Sequence, residues 1–337
     1  MRGDFTQFKK ALMLDSEPRY VPKAELWIDK KIMSNFLGRK VKDAITDTDN
    51  VVEFWYKAGY DYAHIVPSYT LHERTDWVEE HKGAISSWEE YKEFPWPTID
   101  DVDFTPVEKA VRILPEKMKI ISGTLAGVFE ESWMLMGFET FAMKLIEDYS
   151  LVKAVVNRVG ALMYEIIDRV TQIDGVGAIW HSDDIAYKTS TLLSPEHYRK
   201  LIFPWYKHFG SLVHDREMPF MYHSDGCLWD VLDDLVDCGF NSIHPVEPLS
   251  MDISELKRRY GNSLCIIGNI EVDTFLTRGT QQMIEEEVKK KIEELAPGGG
   301  YCCGSSNTIP GWVPYQNYIA MIDAIERYGN YQYKEVF

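Results

Sequence analysis

The 337-residue chain has no apolar run long enough to cross a bilayer. Its opening stretch, MRGDFTQFKKALMLDSEPRY (residues 1–20), carries charges throughout and lacks the continuous apolar segment of a secretory leader. Together these absences make a cytoplasmic location the expectation and leave membranes out as partners. Positive charge is scarce, with 36 Lys and Arg against 53 Asp and Glu, for a formal net charge of −17. A surface this acidic repels phosphate backbones, which excludes nucleic acid as the expected partner. Cysteine is scarce too: five is an odd count in a chain without a leader, which argues against a disulfide framework. No internal repeat and no low-complexity tract is found. No GxGxxG follows the first apolar run, so the usual dinucleotide fingerprint is missing.

What is present is a rhythm of short apolar runs, each followed by a longer helical pattern. The runs are AELWI (24–28), YDYAHIV (60–66), MKIISGT (118–124), GAIWH (177–181), PFMYH (219–223), NSIHP (241–245), LCIIGN (264–269) and GYCCG (300–304). Residues 150–173 have apolar spacing that predicts one helix. The stretch 194–215 opens with Ser194 as N-cap and Pro195 at the first helical position, and a third helix starts near Thr280. Strands alternating with helices predict parallel βαβ units, and eight such units closing on themselves form a (β/α)8 TIM barrel; a doubly wound open sheet is the alternative. The reading is one barrel domain over 1–337, with residues 1–20 as an N-terminal helical extension. Residues 67–117 break the rhythm and read as an inserted excursion after strand two, near the barrel mouth. There Trp77, Trp88 and Trp96 are candidates for an aromatic lid or for plain surface packing.

Active sites of such barrels lie at the C-terminal ends of the strands. Here those ends carry HSDD (181–184), HSDG (223–226), HPVEP (244–248), GNIEVD (268–273) and CCGSSN (302–307). Two chemistries use such a rim. Zinc takes three protein ligands from His, Cys and carboxylate and keeps one position open. His223, Asp225 or Cys227, Glu247, and Cys302 or Cys303 are candidates for that set. Metal-free acid–base work is the alternative, with His181, Asp183 and Asp184 binding or protonating a substrate. Each residue also has a structural reading. His223 can be a core histidine, Asp225–Gly226 a turn pair, Glu247 half of a salt bridge, and Asp183 and Asp184 caps for a backbone turn. Cys227, Cys238 and Cys265 read as structural, and His244 as packing or support behind a ligand. Adjacent Cys302 and Cys303 face opposite sides of a strand, and Cys303 is assigned to the axis.

The segments IWHSDDIAYKTSTLLSPEHYRKLIFPWYKHF, YHSDGCLWDVLDDLVDCGFNSIHPVEP, MDISELKRRYGNSLCIIGNI and PGGGYCCGSSNTIPGWVPYQNYIAMIDAI resemble the uroporphyrinogen decarboxylase superfamily in motif and in order. The resemblance implies a (β/α)8 barrel, in line with the strand count. True decarboxylases of this superfamily bind a tetrapyrrole through arginines near the first strand, where this chain has VPKAELWI. The other branch holds methyltransferases that act with corrinoid proteins in anaerobic methyl metabolism, using zinc on a His-x-Cys after strand five and a Cys near strand eight. His223 matches the histidine, Asp225 stands where that branch has Cys, and the strand-eight ligand falls near Ser305, with Cys303 two residues earlier. Carboxylate in place of thiolate leaves a harder, more Lewis-acidic metal, suited to polarising an ether oxygen rather than activating a thiol.

The expectation is therefore a methyltransferase, the O-demethylase component of a corrinoid system. It demethylates a small methoxylated compound, an aromatic ether among the candidates, and passes the methyl group to Co(I) of the cobalamin carried by a partner corrinoid protein. Zinc is expected on His223, Glu247 and Cys303, with Asp225 near, while Asp183 or Asp184 orients or protonates the substrate. The alternatives are a metal-independent decarboxylase using Asp184 and His181, and a non-catalytic barrel that carries a corrinoid or tetrapyrrole.

Overall fold

The computed structural model describes residues 3–71, 83–124 and 126–330. Seven parallel strands run in consecutive order: β1 (Tyr62–His64), β2 (Lys119–Gly123), β3 (Val176–Ser182), β4 (Phe220–His223), β5 (Ser242–His244), β6 (Cys265–Ile267) and β7 (Tyr301–Cys302). Helices alternate with them, and the architecture is that of a (β/α)8 barrel. Strand interiors such as Ile120, Ile121, Ile179, Met221, Ile243, Ile266 and Ile267 are buried, as expected for parallel strands covered on both faces.

The eighth stave departs from expectation. Residues 24–28 do not form a ladder; this segment, with Lys23 before it, joins β7 and its continuation by single bridges, Lys23 to Cys303 and Ile28 to Ile309. Ala24 donates to the Cys303 carbonyl at 3.0 Å, and Cys303 donates to Pro22 at 2.9 Å. The close approach depends on Gly304, where an added Cβ would stand 1.8 Å from the Ala24 carbonyl oxygen. Toward β1 a side chain replaces the ladder. The Tyr62 hydroxyl donates to the Glu25 carbonyl (2.7 Å) and accepts from the Glu25 amide (2.8 Å).

The helix expected over 150–173 is Tyr149–Thr171, with the Asp148 side chain accepting from the Leu151 amide at 3.2 Å. Thr280 caps Gln281–Leu295 as expected, accepting from Met283. The stretch 194–215 instead forms two helices, Pro195–Leu201 and Phe203–Asp215. Pro204 cannot donate to the preceding turn, so the helix breaks at Ile202. Ser194 holds the cap position but makes no side-chain capping bond.

The helix Phe5–Met13 lies against the N-terminal ends of the strands. Its Phe8 ring is 4.8 Å from that of Tyr62, and Phe5 donates to the Lys117 carbonyl just before β2. Among the described residues of 67–117 the structure forms the short α-helices Trp88–Glu93 and Thr105–Ile113, with a 3-10 turn, Ile99–Asp101, between them. Trp77 lies outside the described residues. Trp88 and Trp96 pack edge-on against Tyr91, and the Arg158 guanidinium sits 5.9 Å from the Trp96 ring centre. That contact places Trp96 against the helix Tyr149–Thr171 rather than among the polar groups at the strand ends.

Candidate functional site

Strand alternation sorts the HSDD segment at the end of β3 into two pairs. His181 and Asp183 turn toward the helical layer. His181 is fully buried among the rings of Tyr206, Phe209, Phe220, Tyr222 and Phe240; neither ring nitrogen makes a hydrogen bond, and Nε2 lies 4.0 Å from Asp183 Oδ2. Burial pushes its pKa down to about 3, so the ring is neutral. Asp183 accepts from the amides of Phe129 (2.8 Å) and Glu130 (2.9 Å) and from the Tyr206 hydroxyl (2.6 Å). It therefore anchors the N-terminus of the helix Val128–Met136, where backbone N–H groups lack intrahelical acceptors. Desolvation nonetheless pushes the carboxyl up to about 7. Gly127 permits the contact, since a Cβ there would fall 2.0 Å from Asp183 Cβ.

Asp184 shares a strand face with Ser182 and Trp180, and it meets the residues that follow β4. Its Oδ1 accepts from the Asp225 amide at 2.8 Å and lies 3.7 Å from His223 Nε2. Asp184, His223 and Asp225 each offer a ligand atom, and these atoms all lie within 4.8 Å of one another. No other such set of three His, Cys, Asp or Glu occurs among the described residues. Asn307 donates to Asp225 Oδ2 at 2.5 Å, while Asp225 Oδ1 is buried without a partner. Burial pushes Asp225 up to about 6; His223 and Asn307 oppose this, and the charges of Asp184 and Glu247 add to it.

Behind the cluster, His223 Nδ1 and His244 Nδ1 are 2.7 Å apart, so one ring donates to the other. With His223 as donor, its Nε2 keeps a lone pair facing the two carboxylates, the arrangement a metal-ligating imidazole needs. His244 is fully buried, and burial followed by the nearby His223 charge holds it well below the ordinary histidine range. A neutral His244 has one nitrogen free to accept.

The donor set of one imidazole and two carboxylates suits a divalent cation, zinc included, with a coordination position left over. The orphaned Asp225 oxygen and the mutual repulsion of the acids both favour a cation there. Of the residues expected to hold the metal, His223 and Asp225 are brought together, and Asp184 joins them. Glu247 stands near enough to raise Asp225 but accepts from Ser250 Oγ at 3.0 Å and is outside the set. Cys303 is fully buried beside the Tyr301 phenol and is likewise outside that set. Ser305 is committed elsewhere, donating from its amide and hydroxyl to Glu25 at 2.7 and 2.6 Å. None of the five cysteines forms a disulfide; Cys238, Cys265 and Cys302 are buried and Cys227 half-buried.

Sequence reasoning missed Glu130. Its carboxyl accepts from the Asp184 amide, and burial with the charges of Asp184 and Asp183 holds it well above the ordinary range. The signal lies in GVFEES (127–132), two residues beyond the apolar run 118–124. Asn307 stood within CCGSSN and His64 within YDYAHIV, but neither was singled out.

Residues 80–328 match the family model for uroporphyrinogen decarboxylase (URO-D). The chain belongs to the URO-D family. Among solved structures it resembles a methyltransferase from Methanosarcina mazei, with a TM-score of 0.72 and 17% identity over 96% of this chain and 98% of that one. A sugar phosphate isomerase/epimerase from Parabacteroides distasonis aligns over 88% of this chain and 95% of that one, at 12% identity and a TM-score of 0.43, and adds nothing to the argument. No curated protein sequence matches the chain. Both the family and the barrel were expected from the motifs. No helix among the described residues is long and apolar enough to cross a membrane.

Proposed function

We propose that this URO-D family member is the methyl-donor-side methyltransferase of a corrinoid system. It takes the methyl group from a small methoxylated compound, and that group passes to the Co(I) of cobalamin on a separate corrinoid protein. The observation that carries the reading is the Asp184–His223–Asp225 cluster at the barrel rim, with its unpartnered buried oxygen. The likeness to a methyltransferase adds support at the level of fold.

In the reaction the methyl C–O bond breaks, its electron pair stays on oxygen, and a C–Co bond forms from the cobalt pair. Zinc held by Asp184, His223 and Asp225 would polarise the ether oxygen and so stabilise the departing alkoxide or phenolate. The protein's own groups make the rest of the site. Asn307 holds one Asp225 oxygen, and the Asp225 amide fixes Asp184. His244 holds the His223 ring, and Asp183 keeps the helix that carries Glu130 docked beside Asp184. The oxygen left behind takes its proton from solvent, which reaches the partly exposed Asp184.

Decarboxylation of a porphyrinogen is less well supported. Among the described residues, none lining the two cavities beside the cluster is Lys or Arg, and Asp184, Asp225 and Glu247 would repel a polycarboxylate. The test is to incubate zinc-loaded protein with cob(I)alamin and a broad panel of methoxylated compounds, following methylcobalamin by absorbance. Formation from at least one ether, lost in Asp225→Ala, is the expected result; no methylcobalamin from any ether overturns the reading.

A further inference from the structure

The strand face that carries the cluster continues down the barrel axis. Trp180 pairs in register with Met221, and Met221 with Ser242; nearer the rim, Ser182 pairs with His223 and His223 with His244. Partners in register present their side chains to one sheet face, so Trp180, Ser242 and His244 share the axis with His223. Those three are fully buried, and the Trp180 and His244 rings meet edge-on with centres 5.1 Å apart. Such an axis is ordinarily filled by branched apolar side chains, which need no hydrogen bonds. Here His244 Nε2, Trp180 Nε1 and Ser242 Oγ are buried polar atoms that make no hydrogen bond among the described residues. Buried polar atoms are rarely left so, because the unmade bond is costly.

The imidazole pair decides what these atoms need. A neutral His223 that keeps Nε2 free for a cation carries its proton on Nδ1 and donates to His244 Nδ1 across 2.7 Å. His244, kept neutral by burial, then has its own proton on Nε2. That N–H and the indole N–H of Trp180 are two donors in want of an acceptor, and the Ser242 hydroxyl can accept or donate. One small group that accepts twice and donates once satisfies all three.

We propose that a buried water sits in the barrel axis, accepting from His244 Nε2 and Trp180 Nε1 and donating to Ser242 Oγ, and that it holds the histidine pair in the tautomers that leave His223 Nε2 open to a metal ion. About three hydrogen bonds is the usual complement of a buried water. Ser242 and Trp180 are thereby positioning residues, acting on the metal centre through His244 without touching it. The reverse arrangement, with His244 donating to His223, places the neutral His223 proton on Nε2 and sets an N–H where a ligand lone pair is needed. The consequence for metal binding rests on the metal-centre reading above; the water and the tautomer of His244 do not.

The experiment joins a crystal structure of the metal-free wild type, at a resolution that orders buried water, to nitrogen NMR of histidine-labelled protein. The expected result is one water within hydrogen-bond distance of His244 Nε2, Trp180 Nε1 and Ser242 Oγ, with the His244 proton on Nε2. Two variants of equal shape then test the consequence: Ser242→Thr keeps the hydroxyl and Ser242→Val loses it. Zinc affinity, in competition with a chromogenic chelator, should be about tenfold weaker in Ser242→Val than in Ser242→Thr. No water at that place, a His244 proton on Nδ1, or equal zinc affinity of the two variants overturns the proposal. The wild-type readouts decide the matter even where a variant fails to fold. If the water and the His244 proton are as stated but the wild type takes up no zinc, the metal-centre reading fails while the water and its tautomer stand.

Discussion

The neighbouring aspartates Asp183 and Asp184 should respond oppositely to the same change. Replacing Asp183 by Ala strands three donors in a fully buried place: the amides of Phe129 and Glu130 and the Tyr206 hydroxyl. A hydrogen bond to a charged group contributes about 1.5–3 kcal/mol. The raised Asp183 pKa means that desolvation already offsets part of this, so the lower end applies and the loss sums to about 4 kcal/mol. In a chain of this size that lowers the melting temperature by roughly 5–10 °C. Tyr206→Phe removes one donor and its acceptor's bond together, and should cost about 1 kcal/mol. Asp184→Ala removes a single bond from the Asp225 amide while relieving repulsion of Asp225 and Glu130. Its melting temperature should stay within about 2 °C of wild type, while metal binding is lost. Differential scanning calorimetry of the three metal-free variants is the assay. If Asp183→Ala melts with wild type and Asp184→Ala is the one that collapses, the division of these two residues into anchor and ligand is wrong.

Glu25 offers a pH test. Burial raises its folded pKa from 4.5 to about 8, so the native state keeps a proton that the unfolded chain has released between those values. Stability from this group is full below about pH 4.5 and falls as pH rises toward 8. Glu25→Gln should therefore match wild type in urea at pH 5 and exceed it by a few kcal/mol at pH 9; an equal midpoint at both pH values would sink the argument. Gly304→Ala should destabilise by more than about 3 kcal/mol, because its Cβ meets the Ala24 carbonyl, and an unchanged melting curve would contradict the packing of that stave. His244→Phe removes the partner that orients His223, and zinc affinity in competition with a chromogenic chelator should fall about 10–100-fold; unchanged affinity would show that the imidazole pair does not position the ligand.

The alternation of apolar runs with helical spacing is a backbone property repeated along the chain, which is why the barrel was legible before the structure. The exceptions are local. Residues 24–28 look like a strand, yet Tyr62 supplies by its hydroxyl what a neighbouring backbone would have supplied. The site was half legible. His223 and Asp225 stand on a strand end that the motif marks, but which face Asp183 and Asp184 present depends on where β3 stops. Parity then gives one to the helix Val128–Met136 and the other to the rim. Cys303 lies fully buried beside Tyr301 and outside the Asp184–His223–Asp225 set, a neighbourhood that strand alternation alone does not supply. Glu130 enters from the first turn of the helix Val128–Met136 rather than from a strand end, so a strand-end motif does not mark it, although GVFEES carries the acid a few residues beyond β2.

The most direct test of the metal centre is elemental analysis of purified protein alongside Asp184→Ala, His223→Ala, Asp225→Ala and Cys303→Ala. The account predicts near-stoichiometric zinc in wild type and in Cys303→Ala, and its loss in the other three. Wild type that takes up no zinc when zinc is offered back, or a Cys303→Ala variant that loses it while Asp184→Ala retains it, would contradict the centre described.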